Sequence, residues 1–397
     1  MPFFKTFVMK INKLILFILF VIVCLNSSYA SDKDMLPPGV VIHNSPAIDH
    51  KYVGSPSIVI MPDGTYIASH DYFGKQISDT FIYMSQDKGN TWTLISTIQS
   101  LNWATLFNIE NELYLIGIRP AGTMGYGDFV VHKSLDQGFT WTIPIDSTTG
   151  LIKRGFYHCA PVPVVCHNNR YWRALENMGQ KWGWGPFSAL MTSIPCGLDL
   201  LDSSNWTFSN ELKYDSSWKS NSTAWLEGNA ILSPNGEIKD VLRVAYIPDD
   251  VAAVVSVSSD GKKLSFNPEV DYVHFPGGGK KFTIRYDEKS HKYLSITNYV
   301  LSKDRSKTNN GAIRNTLVLI SSDNLIDWSI NDTILTCENP SLFGFQYVDW
   351  VFDNEDIVFV SRTAWRDSTG LPPRQHDANY LTFHRMVDFR KNLNQKQ

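Results

Sequence analysis

From residue 36 onward, apolar and polar positions alternate in runs of about four to nine residues, the two-residue period of half-buried strands, and turn residues separate the runs. SPSIVIM from Ser55, the turn PDG, then TYIASHD, FIYMS and TWTLIS predict strands A to D of one antiparallel meander. Further A/B pairs are expected in ATLFNIENELYLIGI, APVPVVCHNNRYWRALE, NAILSPNGEIKDVLRVAY, KKFTIRYDEKSHKYLSI and YVDWVFDNEDIVFVSR. Six meanders result. The last lacks a fourth strand of its own, which GVVIHN, residues 39–44, is expected to supply by closing the set into a ring. No amphipathic helix and no linker interrupts the pattern.

Between strands C and D of the first meander lies SQDKGNTW, Ser85 to Trp92, and it recurs as SLDQGFTW, Ser134 to Trp141. Ser-x-Asp-x-Gly-x-x-Trp is the Asp-box, a hairpin turn in which Ser and Asp bond local backbone, Gly takes positive φ and Trp packs beneath. Degenerate copies follow: SSDGKKLSF from Ser258, SSDNLIDW from Ser321 with its Ser, Asp and Trp, and SSNWTF around Trp206. Short β-rich units repeating every roughly 40 to 65 residues mean a propeller. The fold class is therefore all-β, a single β-propeller of four-stranded antiparallel blades over residues 31–397, with the Asp-boxes as structural turns.

In such a meander the A/B and C/D turns share one end. Ligand chemistry belongs at the other, on residues just before strand A or at the end of strand B. His50, His70, Asp71, Tyr72, Trp103, Arg119, Tyr157, His158, Trp225, Glu227, Gln346, Tyr347, Arg362 and His376 satisfy that rule, and Arg173, within strand B of the third blade, can point inward. Each has a structural alternative. His70 can be a histidine bonded to a neighbouring loop, His158 and Arg173 a buried polar pair, Tyr157 a packing residue, and Trp182 and Trp184 loop packing rather than a sugar platform.

Composition narrows the classes. Of 397 residues 43% are hydrophobic and 19% charged, which excludes disorder, and 12 Trp with 17 Tyr suit an all-β, carbohydrate-facing protein. A net charge of -3 without a basic stripe excludes a nucleic-acid partner. Lys5, Lys10 and Lys13 precede an unbroken apolar run, residues 14–25, and small residues end at Ala30. Residues 1–30 thus read as a signal peptide, with the mature protein exported to the periplasm or beyond as a monomer without a membrane span. Losing three lysines takes the charge from -3 to -6, so an anionic polymer would have to be held by local Arg and His. Cys159, Cys166, Cys196 and Cys337 survive processing, and an oxidising compartment leaves disulfides open. Cys159 and Cys166 are expected as buried strand residues rather than metal ligands, since neighbours on a strand face opposite ways.

The Asp-boxes resemble those of sialidases, propellers with an arginine triad for a carboxylate, a Tyr/Glu nucleophile pair and an Asp acid. The sialidase Arg-Ile-Pro signature precedes the first box, whereas here Ile118-Arg119-Pro120 follows it. YVGSPSIVIMPDGTYIASHDYFG, YHCAPVPVV with RYWRALE, KKFTIRYD, GFQYVDW with VSRTAW, and HDANYLTFHR resemble the secreted propeller group of ulvan lyases and L-rhamnose-α-1,4-D-glucuronate lyases, with a related α-L-rhamnosidase. Members of that group are seven-bladed, one more than the six meanders read here. The resemblance implies His50 and His70, Tyr157 and Arg173 as catalytic residues; of the residues that the strand-end rule selects, His158, Trp103, Trp225, Glu227, Tyr347, Arg362 and His376 are expected to bind substrate.

Those residue types suit β-elimination at a uronate. A fixed guanidinium neutralises the carboxylate, Tyr157 or His70 removes the C5 proton, and the tyrosine protonates the leaving oxygen, without a cofactor or metal. The resemblance implies cleavage of α-L-rhamnosyl-(1→4)-D-glucuronate bonds in ulvan or rhamnose-capped arabinogalactan. A hydrolase acting on the same bond through a carboxylate such as Glu227 or Asp349, and a non-catalytic glycan-binding propeller, remain as alternatives.

Overall fold

The computed structural model describes residues 36–74, 79–121, 126–179, 187–219, 221–246, 250–306 and 310–393. The leader and the pair Trp182 and Trp184 lie outside the described residues. The strands follow the predicted meanders, and every pairing is antiparallel. The first blade is Ser57–Ile60, Tyr66–Gly74, Thr80–Ser85 and Thr93–Ile98, and the second is Asn102–Ile109, Glu112–Pro120, Gly127–Ser134 and Leu151–His158. The third has an inner strand of only three residues, Val165–His167, before Arg170–Asn177, Ser188–Pro195 and two short outer pieces. Ser222–Leu232, Ile238–Tyr246 and Val251–Val257 begin the fourth blade, and Ile284–Asp287, Lys292–Asn298, Thr316–Ser322 and Trp328–Thr336 form the fifth. In the sixth, Gly344–Asp353, Asp356–Ala364 and Tyr380–Met386 are completed by Val40–Asn44 from the other end of the chain, as expected.

Six blades are thus present among the described residues. Their inner and second strands touch from blade to blade around the ring. Between the second and third blades the contact becomes a hydrogen-bonded ladder, Tyr157 opposite Asn177 and His158 opposite Glu176, which merges the two into one sheet. Apolar clusters fill the interfaces. Ile82 and Leu115 meet between the first two blades, Trp172 and Trp225 between the third and fourth, and Leu294 and Trp350 between the fifth and sixth. Each such side chain, fully buried, contributes about 1.5–3 kcal/mol. Among the described residues the helical elements are short 3-10 turns, and none is long and apolar enough to cross a membrane.

Both intact Asp-boxes have one geometry. Ser85 Oγ donates to Asp87 Oδ1 at 2.8 Å and accepts Gly89 N at 2.9 Å, Thr91 N and Oγ1 donate to the Asp87 carboxylate, and Trp92 Nε1 donates to Gly89 O. Ser134, Asp136, Gly138, Thr140 and Trp141 repeat these bonds. Gln137 of the second box donates to Asp63, in the A/B turn of the first blade, so these turns share one end of the ring. In the fifth blade Leu325 takes the left-handed conformation of the glycine position and Trp328 Nε1 donates to its carbonyl in the expected register, but the side-chain contacts are made one residue later than expected, by Ser322 and Asn324 rather than Ser321 and Asp323. Cys159 is buried as expected. Cys166 is instead exposed, since its short inner strand lies at an end of the ring.

Candidate functional site

The inner strands of the second, fourth and sixth blades share one irregularity at the same height. From Asn102 to Thr105, Leu226 to Asn229 and Gln346 to Asp349, the inner strand advances three residues while its partner advances two. Each extra residue makes a β-bulge, and in each the residue after the first anchor has positive φ: Trp103 at 54°, Glu227 at 58° and Tyr347 at 55°. Bulky residues avoid this region, so holding three of them there costs of order 1–3 kcal/mol apiece. Buried carboxylates help to hold two of the three. Asp71 accepts Ser55 N at 2.5 Å and Trp103 N at 2.6 Å, and Glu176 accepts Gly228 N, next to Glu227, at 2.9 Å.

The bulges bring Glu227 and Tyr347 together from two blades. Tyr347 OH donates to Glu227 Oε1 at 2.8 Å, and Arg243 Nη1 donates to Glu227 Oε2 at 2.8 Å and to Tyr347 OH at 3.4 Å. Arg243 and Arg362 each stand at the end of strand B, opposite the residue before a bulge. The Arg362 guanidinium lies 3.9 Å from the centre of the Tyr347 ring and 4.8 Å from that of Phe73, and Arg314 approaches Tyr347 to 5.8 Å. Arg314 and Arg362 both donate to the neutral Gln346 Oε1, and Arg362 Nε has no partner among the described residues.

Charge is therefore unbalanced. Burial pushes the Glu227 carboxyl up, but Arg243 and then His158 outweigh it and hold Glu227 below the usual value, hence ionised. Burial opposes the charge on Arg243 too, and Glu227 and Tyr347 more than offset that. Arg314, buried and facing Arg362 and Arg243, falls to about 10 and still stays charged at neutral pH. Three guanidiniums thus face the Glu227 carboxylate and the Tyr347 phenol, with Asp71 and Asp377 acting on Arg362 less strongly than these two, and the cations gathered on the neutral Gln346 favour an added anion. Burial raises Asp71 to about 6 against its two N–H bonds. His376, packed edge-on against Phe73 and bonded to Asp377, is driven to about 3 by burial and Arg362, so it is neutral. Among the described residues no cluster of His, Cys, Asp and Glu is set to hold a metal ion.

No protein-family model and no curated protein sequence matches the chain. Solved structures do. An α-L-arabinanase from Penicillium chrysogenum, complexed with arabinobiose, superposes with a TM-score of 0.54 at 12% identity over 88% of this chain and 97% of that one. An α-L-arabinofuranosidase from Fusarium graminearum, in complex with an iminosugar inhibitor, gives 0.56 at 12% over 91% and 100%. A Trypanosoma rangeli sialidase with the inhibitor DANA gives 0.57 at 15% over 86% and 56%. At these identities the likeness carries the propeller fold and says nothing of the reaction.

The residues that the lyase resemblance selects lie in separate environments. His70 is fully buried between the sixth and first blades, stacked on His43 and Phe81; its Nδ1 bonds Asp71 O, its Nε2 bonds Tyr83 OH, and burial and His43 lower it to about 3. His50 is exposed and bonds Tyr52 OH. Arg173 points inward, as expected, and gives Nη2 to Ala160 O and Thr105 Oγ1 and Nη1 to Ala174 O. Tyr157 packs in the core between the second and third blades, where burial raises it to about 12. His158 bonds Glu176 at 2.9 Å and lies against Trp103 with ring centres 4.5 Å apart, close enough to Glu227 to act on its charge.

Of the remaining candidates, Trp225 is core, with its Nε1 on Phe187 O, and Arg119 is bound to Asp128 and Pro144 O. Tyr72 bonds His43, and Asp349 ties the sixth blade to Ser57 and Ile58 of the first. Arg243, Arg314 and Glu176 escaped the sequence reading. The end-of-strand-B rule that picked Arg362 applies equally to Arg243, in DVLRVAY. Arg314 lies in a B–C connection, where length alone gives no register.

Proposed function

We propose that this chain is a glycan-cleaving enzyme, a hydrolase for a glycosidic bond at a carboxylate-bearing sugar. The observation that carries the reading is the 2.8 Å bond from Tyr347 OH to Glu227 at the centre of three guanidiniums. Glu227 takes the phenol proton as Tyr347 Oη attacks the anomeric carbon, the bond from that carbon to the glycosidic oxygen breaks, and the departing sugar is protonated by water. A water then attacks the same carbon, cleaves the glycosyl–tyrosine bond and restores the phenol and the carboxylate, with Arg243 stabilising the charge on the pair. Arg314 and Arg362 hold the substrate carboxylate, since the acceptor they share is the neutral Gln346. A Tyr/Glu pair beneath arginines is also what the sialidase-like Asp-boxes imply. Rhamnosyl-glucuronate glycans are the substrate class that the wider sequence resemblance favours.

The β-elimination reading keeps its own support. Guanidiniums can neutralise a uronate carboxylate while a neighbouring tyrosine or histidine removes the C5 proton and the leaving oxygen departs with a proton from the tyrosine, and His50, His70, Tyr157 and Arg173 match the lyase spacing. One assay separates the two. Incubation with ulvan and with rhamnose-capped arabinogalactan should yield new reducing ends and a saturated uronate, with no rise in ultraviolet absorbance. This activity should vanish in Tyr347→Phe and persist in Tyr157→Phe. Rising absorbance that needs Tyr157 would establish the lyase instead, and no product from acidic glycans of any class would leave a binding propeller.

A further inference from the structure

The third blade has the weakest inner strand. Val165–His167 pairs through three residues, Val165 with Trp172, Cys166 with Tyr171 and His167 with Arg170. Pro161 and Pro163, just upstream, have no N–H to give, and Leu151–His158, which precedes them, is already paired with the second blade. Where the other blades anchor their inner strand by longer ladders, this one needs another tie. The turn after Ser188–Pro195 curls back toward it: Cys196 N donates to Asn169 O in the hairpin beside Cys166. The two sulfurs stand 3.6 Å apart, across 30 residues of chain.

We propose that Cys166 and Cys196 form a disulfide that staples the inner strand of the third blade to the turn after its third strand. Both are reachable, Cys166 being exposed and Cys196 partly so, and a small side-chain movement closes the bond. With oxidised glutathione or a dithiol oxidase as oxidant, one thiolate attacks the donor disulfide and releases a thiolate. The second cysteine thiolate then attacks the mixed disulfide and releases another, so two protons and two electrons leave the pair. Cys159 and Cys337 stay out of the exchange. Cys159 is buried with its Sγ on Trp103 O, and burial pushes both thiols up to about 12, far from the thiolate form. The linked segment contains Arg170–Asn177, the strand that presents Arg173 and Glu176, so the staple also fixes the carboxylate that holds Gly228.

Peptide mapping of the purified chain equilibrated with oxidised glutathione, with free thiols alkylated first, tests this directly. A peptide pair joined through Cys166 and Cys196 is expected, with Cys159 and Cys337 alkylated once the chain is unfolded. Recovery of Cys166 and Cys196 as alkylated thiols, or a link through Cys159 or Cys337, would overturn the pairing. The stapling role has its own readout. Reduction should lower the thermal midpoint by roughly 5 °C. The Cys166→Ser/Cys196→Ser variant should sit at the reduced midpoint and ignore reductant. An unchanged midpoint on reducing the linked wild-type chain would overturn the role.

Discussion

At Glu227 and Tyr347 the backbone pays for direction. Positive φ in a bulge turns both side chains to the axis, and the interactions that hold them there also set their chemistry. Tyr347→Phe keeps the ring under Arg362 and removes only the hydroxyl. Turnover should then fall by about 10²- to 10⁴-fold with little change in KM, as measured by steady-state kinetics on an acidic glycan. Glu227 gives the pH sign. The proposed step needs the carboxylate, and its proton affinity lies below the ordinary value of 4.5, so activity should survive to a pH below 4.5 and fail only under it. Arg243→Gln removes the cation while burial remains, so the acid limb of kcat/KM against pH should move upward. A limb that stays in place would mean that Arg243 does not govern the proton on Glu227.

The Asp-box shows how much one element can say through its residues alone. Its Ser, Asp, Gly and Trp predict a C/D turn at one end of the ring, and both hold, because the bonds that shape the turn join residues no more than four apart. Gly89 carries a sharper demand: φ is 90°, and a Cβ there would sit 2.2 Å from Phe383 on the closing blade. Gly89→Ala should therefore cost roughly 1–3 kcal/mol in urea unfolding, without altering the pH profile of the proposed activity. Asp87 adds a pH arm. Its bonds to Thr91 and Ser85 hold it at about 2, so what it contributes is present above its ordinary 3.8 and is lost as pH falls toward 2. The site was less legible for a physical reason. The strand-end rule selected Glu227, Tyr347 and Arg362 as ligand-end candidates, but a bulge breaks strand alternation, and a period of two cannot say which side chain crosses to another blade. His70 illustrates the reverse: expected at the end of strand B, it lies in the middle of Tyr66–Gly74, and His43, from the strand that closes the ring, covers it.

For the whole molecule, stability depends on a closure made by residues more than three hundred positions apart. Val40 pairs with Phe383 and Asn44 with Tyr380, while Ile42 joins Val53, Ile58, Leu381 and Phe383 in the cluster between the sixth and first blades. Without that strand, Tyr380–Met386 becomes an open edge with apolar residues behind it, a template for pairing with other chains. The first Asp-box leans on the same place, Trp92 lying 5.5 Å and Tyr66 5.9 Å from Phe383, so the first and sixth blades are also coupled through aromatic contacts. Truncating the single side chain tests closure without removing the strand. Ile42→Ala should cost about 2–5 kcal/mol and lower the urea midpoint with the slope unchanged, because the blades on either side of the seam lose the same support. If the ring instead frays at this seam, far-ultraviolet dichroism and tryptophan fluorescence would give separate transitions, and the closure would be a local clasp rather than the tie that makes six blades unfold as one.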